Sequence, residues 1–156
     1  MKASATTEIS LPTTTVFEYV SDPHNMPAWV TGVDDVDLLD DPTRVGARFE
    51  SDYTYGNRTV RMTYEVTAYE PDERYATRGE GPFPFAGELT LEPTSDGTRV
   101  TNTIDAGSDG ILTAVMFTVL RPVARRLMER RLREELDALR AELEGQTVAA
   151  PSAPSA

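Results

Sequence analysis

The chain has 156 residues, a formal net charge of -11 and no cysteine, which excludes a disulfide framework and a thiolate metal site. A chain of this length suits one domain that folds without a cross-link or a structural metal. The excess of acidic residues repels a phosphate backbone, so nucleic acid is an unfavourable partner. Stable membrane insertion is also excluded, because the longest apolar run, 111–120, is about half as long as a membrane span.

The charged residues have an unusual distribution. Lys2 is the only lysine, so the remaining basic residues are all arginines, and 26 acids outnumber them. This pattern is typical of salt-adapted cytosolic proteins, because at molar salt the Debye length falls to ~3 Å and repulsion between carboxylates is screened. An ordinary acidic protein is the alternative. The first residues do not show the basic segment and apolar run of a secretory signal, so a cytoplasmic location is predicted.

The first third of the sequence predicts a strand followed by two short helices. Residues 2–11 alternate loosely between polar and apolar side chains, as a strand does. Residues 13–21 predict a short helix with an apolar face. The pair Asp22-Pro23 combines a helix cap with a proline suited to the first helical turn, so a second helix starts there. Pro27 is expected to interrupt it.

Six further strands are predicted after the second helix, from alternating patterns and turn signals. Their ranges are 33–39, 46–55, 58–69, 74–79, 85–92 and 98–105. Hairpin-length connections between successive strands are typical of an antiparallel meander. One face of such a sheet must be covered by another element, so the class is α+β.

A long helix is predicted over residues 111–144, running roughly 50 Å at ~1.5 Å per residue. It is the only element large enough to cover the sheet. Pro122 is expected to kink or break it, and Gly145 marks its end. The residues beyond lack apolar periodicity, so the prediction is a single domain at 1–145 and a disordered tail at 146–156.

Three stretches resemble the helix-grip superfamily, which includes START lipid-transfer domains, plant pathogenesis-related pollen allergens and the polyketide cyclase/dehydrase family. They are 9–30 (ISLPTTTVFEYVSDPHNMPAWV), 89–104 (LTLEPTSDGTRVTNTI) and 120–144 (LRPVARRLMERRLREELDALRAELE). The resemblance implies a curved antiparallel sheet of about seven strands that grips the last helix around an apolar cavity. None of the stretches is a catalytic motif, and such a fold hosts many functions.

The inward faces of the predicted strands carry several tyrosines. A buried tyrosine needs a partner for its hydroxyl, and an apolar pocket with a few polar groups is typical of small-molecule sites. We predict a ligand cavity lined by Trp29, Tyr53, Tyr55, Met62, Tyr64, Tyr75, Phe85, Leu89, Asn102, Leu112, Met116 and Leu120. Phe49 fits core packing instead. A lid is expected from 79–85 together with the half-helix before Pro122.

Other polar residues are weaker candidates. The only histidine, His24, opens a short helix and is expected at the surface rather than in a site. The acid pairs Asp34-Asp35 and Asp40-Asp41 are expected to be solvated. With one histidine and no spaced acidic loop, neither a metal site nor a cofactor is predicted.

The basic run from Arg121 to Arg133 fits a helix face with stabilising i,i+4 ion pairs. The expected pairs are Glu129–Arg133, Arg130–Glu134 and Arg131–Glu135. The alternative is that Arg121 and Arg125 meet an anionic ligand or a membrane headgroup beside the apolar half-helix.

Binding or transport of a small hydrophobic molecule, such as a lipid, isoprenoid, quinone or polyketide, is the leading functional hypothesis. The inward positions include no acid, lysine or histidine, and a tyrosine is a poor base unless a cation lies beside it. The cations placed nearest the cavity mouth are Arg78 and Arg121. A cyclase/dehydrase-type enzyme is the alternative, and a module that shields a partner's apolar surface is a third possibility. No oligomeric state is predicted.

Overall fold

The computed structural model describes residues 2–81, 84–106 and 111–149, with the side chains of the last helix described over 122–145. The elements are β1 (Lys2–Ile9), α1 (Thr13–Val20), a 3₁₀ turn (Pro23–Asn25), α2 (Met26–Trp29), β2 (Val33–Leu38), β3 (Arg48–Tyr55), β4 (Arg58–Glu70), β5 (Arg74–Glu80), β6 (Phe85–Pro93), β7 (Thr98–Ala106) and α3 (Ile111–Ala149). The predicted α+β order of elements is confirmed.

All seven strands form one antiparallel sheet in the order β1-β7-β6-β5-β4-β3-β2. The predicted meander of six strands is therefore confirmed, and β1 completes the sheet by pairing with β7. Irregularities interrupt the register between Asp34 and Asp37 in β2 and between Val66 and Ala68 in β4. Such bulges bend strands and increase their twist, which favours a concave face.

The C-terminal half of α3 closes the core. Leu132, Leu136, Leu139 and Leu143 are all buried and form an apolar stripe along one side of the helix. The helix also anchors the end of β1, because the Glu144 carboxylate accepts a hydrogen bond from the Ser10 N–H at 3.0 Å. This contact and the apolar stripe hold α3 against the sheet.

The expected end of α3 at Gly145 was wrong, and of the kink or break expected at Pro122 the break does not occur, whereas a kink stays a prediction. The helix continues through Pro122 without a break and extends past Gly145 to Ala149. A proline removes only one backbone donor, so helix can persist on both sides of it. Gly145 does not adopt the positive φ that would end a helix. The tail residues 150–156 lie outside the described ranges, so the prediction for them stays untested.

The short helices differ from expectation at Pro27. Asp22 caps the 3₁₀ turn as predicted, because its carboxylate accepts a hydrogen bond from the His24 N–H at 3.0 Å. Pro27, however, lies in the first turn of α2 and does not interrupt a helix. A proline is tolerated there because the first N–H groups of a helix have no intrahelical partner. The result is a compact turn that places Trp29 under α3.

Candidate functional site: an internal ligand cavity

A cavity of about 610 Å³ lies between the concave face of the sheet and the helices α2 and α3. Its volume falls within the range of small-molecule sites. The lining is mostly aromatic and aliphatic and comes from β2 to β7 and all three helices. In the described part of the chain, no helix is long and apolar enough to cross a bilayer, and no His, Asp and Glu side chains cluster as metal ligands would.

Nine of the predicted residues are brought together in this cavity. They are Trp29, Tyr53, Tyr55, Met62, Tyr64, Tyr75, Phe85, Leu89 and Asn102. The side chains of Leu112, Met116 and Leu120 lie outside the described residues, as does part of the predicted lid. Phe49, expected only in the core, is buried and also lines the cavity. A role in ligand binding stays a prediction for all of them.

One wall of the cavity is held rigidly by the pairing of β3 with β4. Phe49 and Tyr64 face each other in register, and their rings stack with centroids 4.7 Å apart. Ser51 donates a hydrogen bond to the Tyr64 hydroxyl at 2.9 Å, deep inside the protein. Burial raises the pKa of Tyr64 above its ordinary value, despite this bond. The Tyr64 hydroxyl therefore stays neutral and has a protein partner.

Two other polar groups belong to residues that line the cavity. The Tyr75 hydroxyl and the Trp29 indole N–H are buried and make no hydrogen bond within the described residues. Burial raises the pKa of Tyr75, and the nearby Tyr69 and Asp22 raise it further, so its hydroxyl remains protonated. Each unsatisfied buried group costs about 1–3 kcal/mol. A ligand oxygen that accepted either hydrogen bond would recover part of that cost.

The predicted pair Arg131–Glu135 lies partly buried in the cavity wall, a position that the sequence analysis did not foresee. Arg131 and Glu135 line the cavity, and the Glu135 side chain is only 5% exposed. Arg131 donates from Nη1 to the Tyr53 hydroxyl at 2.6 Å, from Nη2 to the Thr31 carbonyl at 2.9 Å and from Nε to Glu135 Oε2 at 3.3 Å. The same Oε2 accepts the Thr31 N–H at 2.7 Å. This network, the Arg131 cluster, joins α3 to β3 and to the α2–β2 connection.

The Arg131 guanidinium stays charged in this setting. Burial alone would lower its pKa, but the Glu135 carboxylate and the Tyr53 hydroxyl together raise it above the ordinary value. The inward strand positions listed from the sequence held no acid, but the cavity lining also includes Glu135 from α3 and Glu88 from β6. Met128 and Leu132 also line the cavity, and each lies three residues before a member of the pair, on the same face of α3. This spacing alone does not show which face of the helix is turned to the sheet.

The remaining sequence candidates lie at the surface. His24 is exposed, as predicted, and its Nδ1 lies 3.2 Å from Asp22 Oδ1. Arg78 is also exposed, pairs with Glu65 at 2.6 Å and is not among the residues that line the cavity. Asp34, Asp35 and Asp41 are exposed and Asp40 is partly so, as expected.

Three arginines of the basic run on α3, Arg125, Arg130 and Arg131, make ion pairs along the helix. The pairs Arg130–Glu134 and Arg131–Glu135 form as predicted. Glu129 pairs with Arg125 at 3.1 Å, instead of with Arg133. The side chain of Arg121 lies outside the described residues. The pairs Arg125–Glu129 and Arg130–Glu134, which lie on the accessible side of the helix, contribute only tenths of a kcal/mol each.

Trp29 provides a direct optical test of this cavity. It is the only tryptophan, it is buried, and it lines the cavity. Its emission is expected at a shorter wavelength than that of tryptophan in water, and an apolar ligand should change it. The measurement is a fluorescence spectrum of the folded protein before and after ligand addition. A spectrum like that of the urea-unfolded chain would contradict the placement of Trp29.

Known proteins resemble this chain over most of its length. The model of the family described as polyketide cyclase / dehydrase and lipid transport matches residues 1–144. Among solved structures, TTHA0849 from Thermus thermophilus is similar with a TM-score of 0.72 at 20% identity, over 93% of this chain and 98% of that one. SA2116 from Staphylococcus aureus gives a TM-score of 0.74 at 10% identity, over 94% and 95%.

A third solved structure has a biosynthetic description. StfQ, a di-domain ARO/CYC from the steffimycin biosynthetic pathway, gives a TM-score of 0.70 at 12% identity. The match covers 94% of this chain and 51% of StfQ, so this chain spans about half of that protein. Identities this low establish a shared fold and no more. Among curated proteins, no sequence matches this chain significantly.

Proposed function

Because the chain belongs to the polyketide cyclase / dehydrase and lipid transport family, we propose that its cavity binds a small hydrophobic molecule, such as an isoprenoid, a quinone, a lipid or an aromatic polyketide. The observation that carries the proposal is the cavity of about 610 Å³ with mostly aromatic and aliphatic walls. Burying about 300 Å² of apolar ligand surface would contribute roughly 7 kcal/mol, before the cost of lost ligand freedom.

Polar groups at separate places in the wall would orient the ligand. The Arg131 cluster presents a guanidinium and the Tyr53 hydroxyl on one side. Asn102 lies in register with Leu89, which in turn faces Tyr75 on β5. A few hydrogen-bonding groups in an otherwise apolar site fix orientation and specificity.

A second candidate function, a cyclase or dehydrase, is favoured by the contact between Tyr53 and Arg131. The guanidinium Nη1 lies 2.6 Å from the hydroxyl oxygen, which is the arrangement of a tyrosine beside a cation. Such a phenol can give its proton to a ligand oxygen while the cation stabilises the phenolate that remains. The ARO/CYC description of StfQ makes this chemistry worth testing.

Native mass spectrometry of the purified protein, followed by titration of ligand-free protein with isoprenoids, fatty alcohols and aromatic polyketides, tests the proposal. Asn102→Ala should weaken binding about fivefold, as expected for one lost hydrogen bond of about 1 kcal/mol. Tyr19→Phe, which removes a hydroxyl outside the cavity lining, is the matched control and should leave the affinity unchanged.

The outcomes separate the two candidates. Binding with every ligand recovered unaltered supports a carrier. Conversion of a panel member that stops in Tyr53→Phe while binding persists would establish the enzyme instead. No binding by any member of the panel would refute the cavity proposal.

A further inference from the structure

We propose that the cavity prefers ligands whose polar group is uncharged, such as a ketone, an ester or an alcohol, over carboxylates and phosphates. Among the described lining residues, Arg131 is the one cationic side chain, and the buried Glu135 carboxylate already neutralises it. The inference rests on the proposed function, because it assigns the class of ligand that the same cavity accepts.

Glu135 is held firmly in place beside the guanidinium. Its side chain is 5% exposed, against 34% for Arg131. Oε2 lies 3.3 Å from Arg131 Nε and 2.7 Å from the backbone nitrogen of Thr31. Turning the carboxylate away would break both hydrogen bonds and leave a buried charge without its partner, which is strongly destabilising.

An anionic ligand would therefore bring a second negative charge to a site that is already neutral. To pair with Arg131 it would have to compete with Glu135, and one of the two anions would remain uncompensated in a poorly solvated wall. The net charge of -11 on the whole chain also lowers the local concentration of anions. Both effects disfavour carboxylates and phosphates.

An uncharged acceptor meets no such penalty. A guanidinium has five N–H groups, and within the described residues the contacts to Tyr53, Thr31 and Glu135 use one each on Nη1, Nη2 and Nε. The other N–H groups on Nη1 and Nη2 can donate to a ketone or hydroxyl oxygen without adding charge. The same cluster thus attracts neutral oxygen and repels anionic oxygen.

The test compares palmitic acid with hexadecanol, which share one chain length and differ in the charge of the polar group. Both are titrated into wild-type protein, Glu135→Gln and Glu134→Gln at about pH 8, where the free acid is ionised. Glu134 is an exposed neighbour that pairs with Arg130, so its variant makes the same charge change away from the cavity. Glutamine at 135 keeps an oxygen that can accept the Thr31 hydrogen bond.

Glu135→Gln should bind palmitic acid at least about tenfold more tightly than wild type, while its affinity for hexadecanol changes less than about threefold. Glu134→Gln should change neither. An unchanged affinity for the acid in Glu135→Gln overturns the inference but leaves the proposed function standing. Failure of both ligands and of the uncharged polyketides to bind any variant overturns the proposed function itself.

A wild-type measurement decides the matter if Glu135→Gln does not fold. Lowering the pH from about 8 to about 5 neutralises part of the fatty acid, so its affinity should rise while that of hexadecanol stays flat. Equal or weaker binding of the acid at the lower pH would contradict the inference.

Discussion

Replacing Leu139 with alanine should lower the free energy of unfolding by about 3 kcal/mol. Leu139 is fully buried in the C-terminal half of α3 and belongs to the main apolar core. The truncation removes buried methyl groups and leaves a cavity that rigid neighbours cannot fill. For a chain of this size, the melting temperature should fall by roughly 6–12 °C. Urea denaturation of both proteins measures the difference.

Leu127→Ala is the matched control, because it makes the same change on the same helix. Leu127 is 63% exposed, so its truncation should change stability by less than about 0.5 kcal/mol. Alanine is also a slightly better helix former than leucine, which limits any loss further. Similar effects in the two variants would contradict the packing of α3 against the sheet.

The fold was largely predictable because its strands alternate. In β3, Phe49 and Ser51 are buried while Arg48 is exposed, which is the two-residue period of a sheet with one covered face. The hairpin at Gly56, where φ is +57°, connects β3 to β4 through two residues, as tight antiparallel hairpins do. Local signals of this kind also fix which residues face one another across the sheet.

Features that depend on three-dimensional context were not predictable. Asp35 adopts a φ of +51° at the irregularity in β2, and no local signal distinguishes it from the acids beside it. Arg131 and Glu135 have the same i,i+4 spacing as the exposed pair Arg130 and Glu134. Which pair is buried depends on how α3 is rotated against the sheet. The aromatic cavity wall was therefore foreseen, whereas its charged cluster was not.

The melting temperature should also rise steeply between 0.1 M and 2 M KCl. The chain carries 26 acids against 15 lysines and arginines, and their repulsion destabilises the compact state. At 0.1 M the Debye length is about 10 Å, and at 1 M it is about 3 Å, so added salt screens this repulsion. A gain of about 2 kcal/mol would raise the melting temperature by roughly 4–8 °C for a chain of this size.

Four carboxylates surround one arginine on the outer face of the sheet. Arg61 pairs with four carboxylates at once, those of Asp35, Asp37, Glu50 and Asp52. The pKa of Arg61 is raised above its ordinary value, chiefly by the side-chain hydrogen bond to Asp52, so the guanidinium stays protonated. One guanidinium offsets only one of the four negative charges that it contacts. Removing Arg61 should therefore expose the full repulsion among all four acids.

Arg61→Gln should lower the melting temperature at 0.1 M KCl by several degrees, and most of that difference should vanish at 2 M, where the carboxylates are screened. Arg58→Gln, on the same strand but outside this group of carboxylates, is the control and should have a small effect at both salt concentrations. Chloride is used because sulfate would strengthen apolar burial as well. A wild-type melting temperature that does not change between 0.1 M and 2 M KCl would refute salt adaptation. A salt-independent loss in Arg61→Gln would show that Arg61 stabilises the sheet by packing rather than by charge.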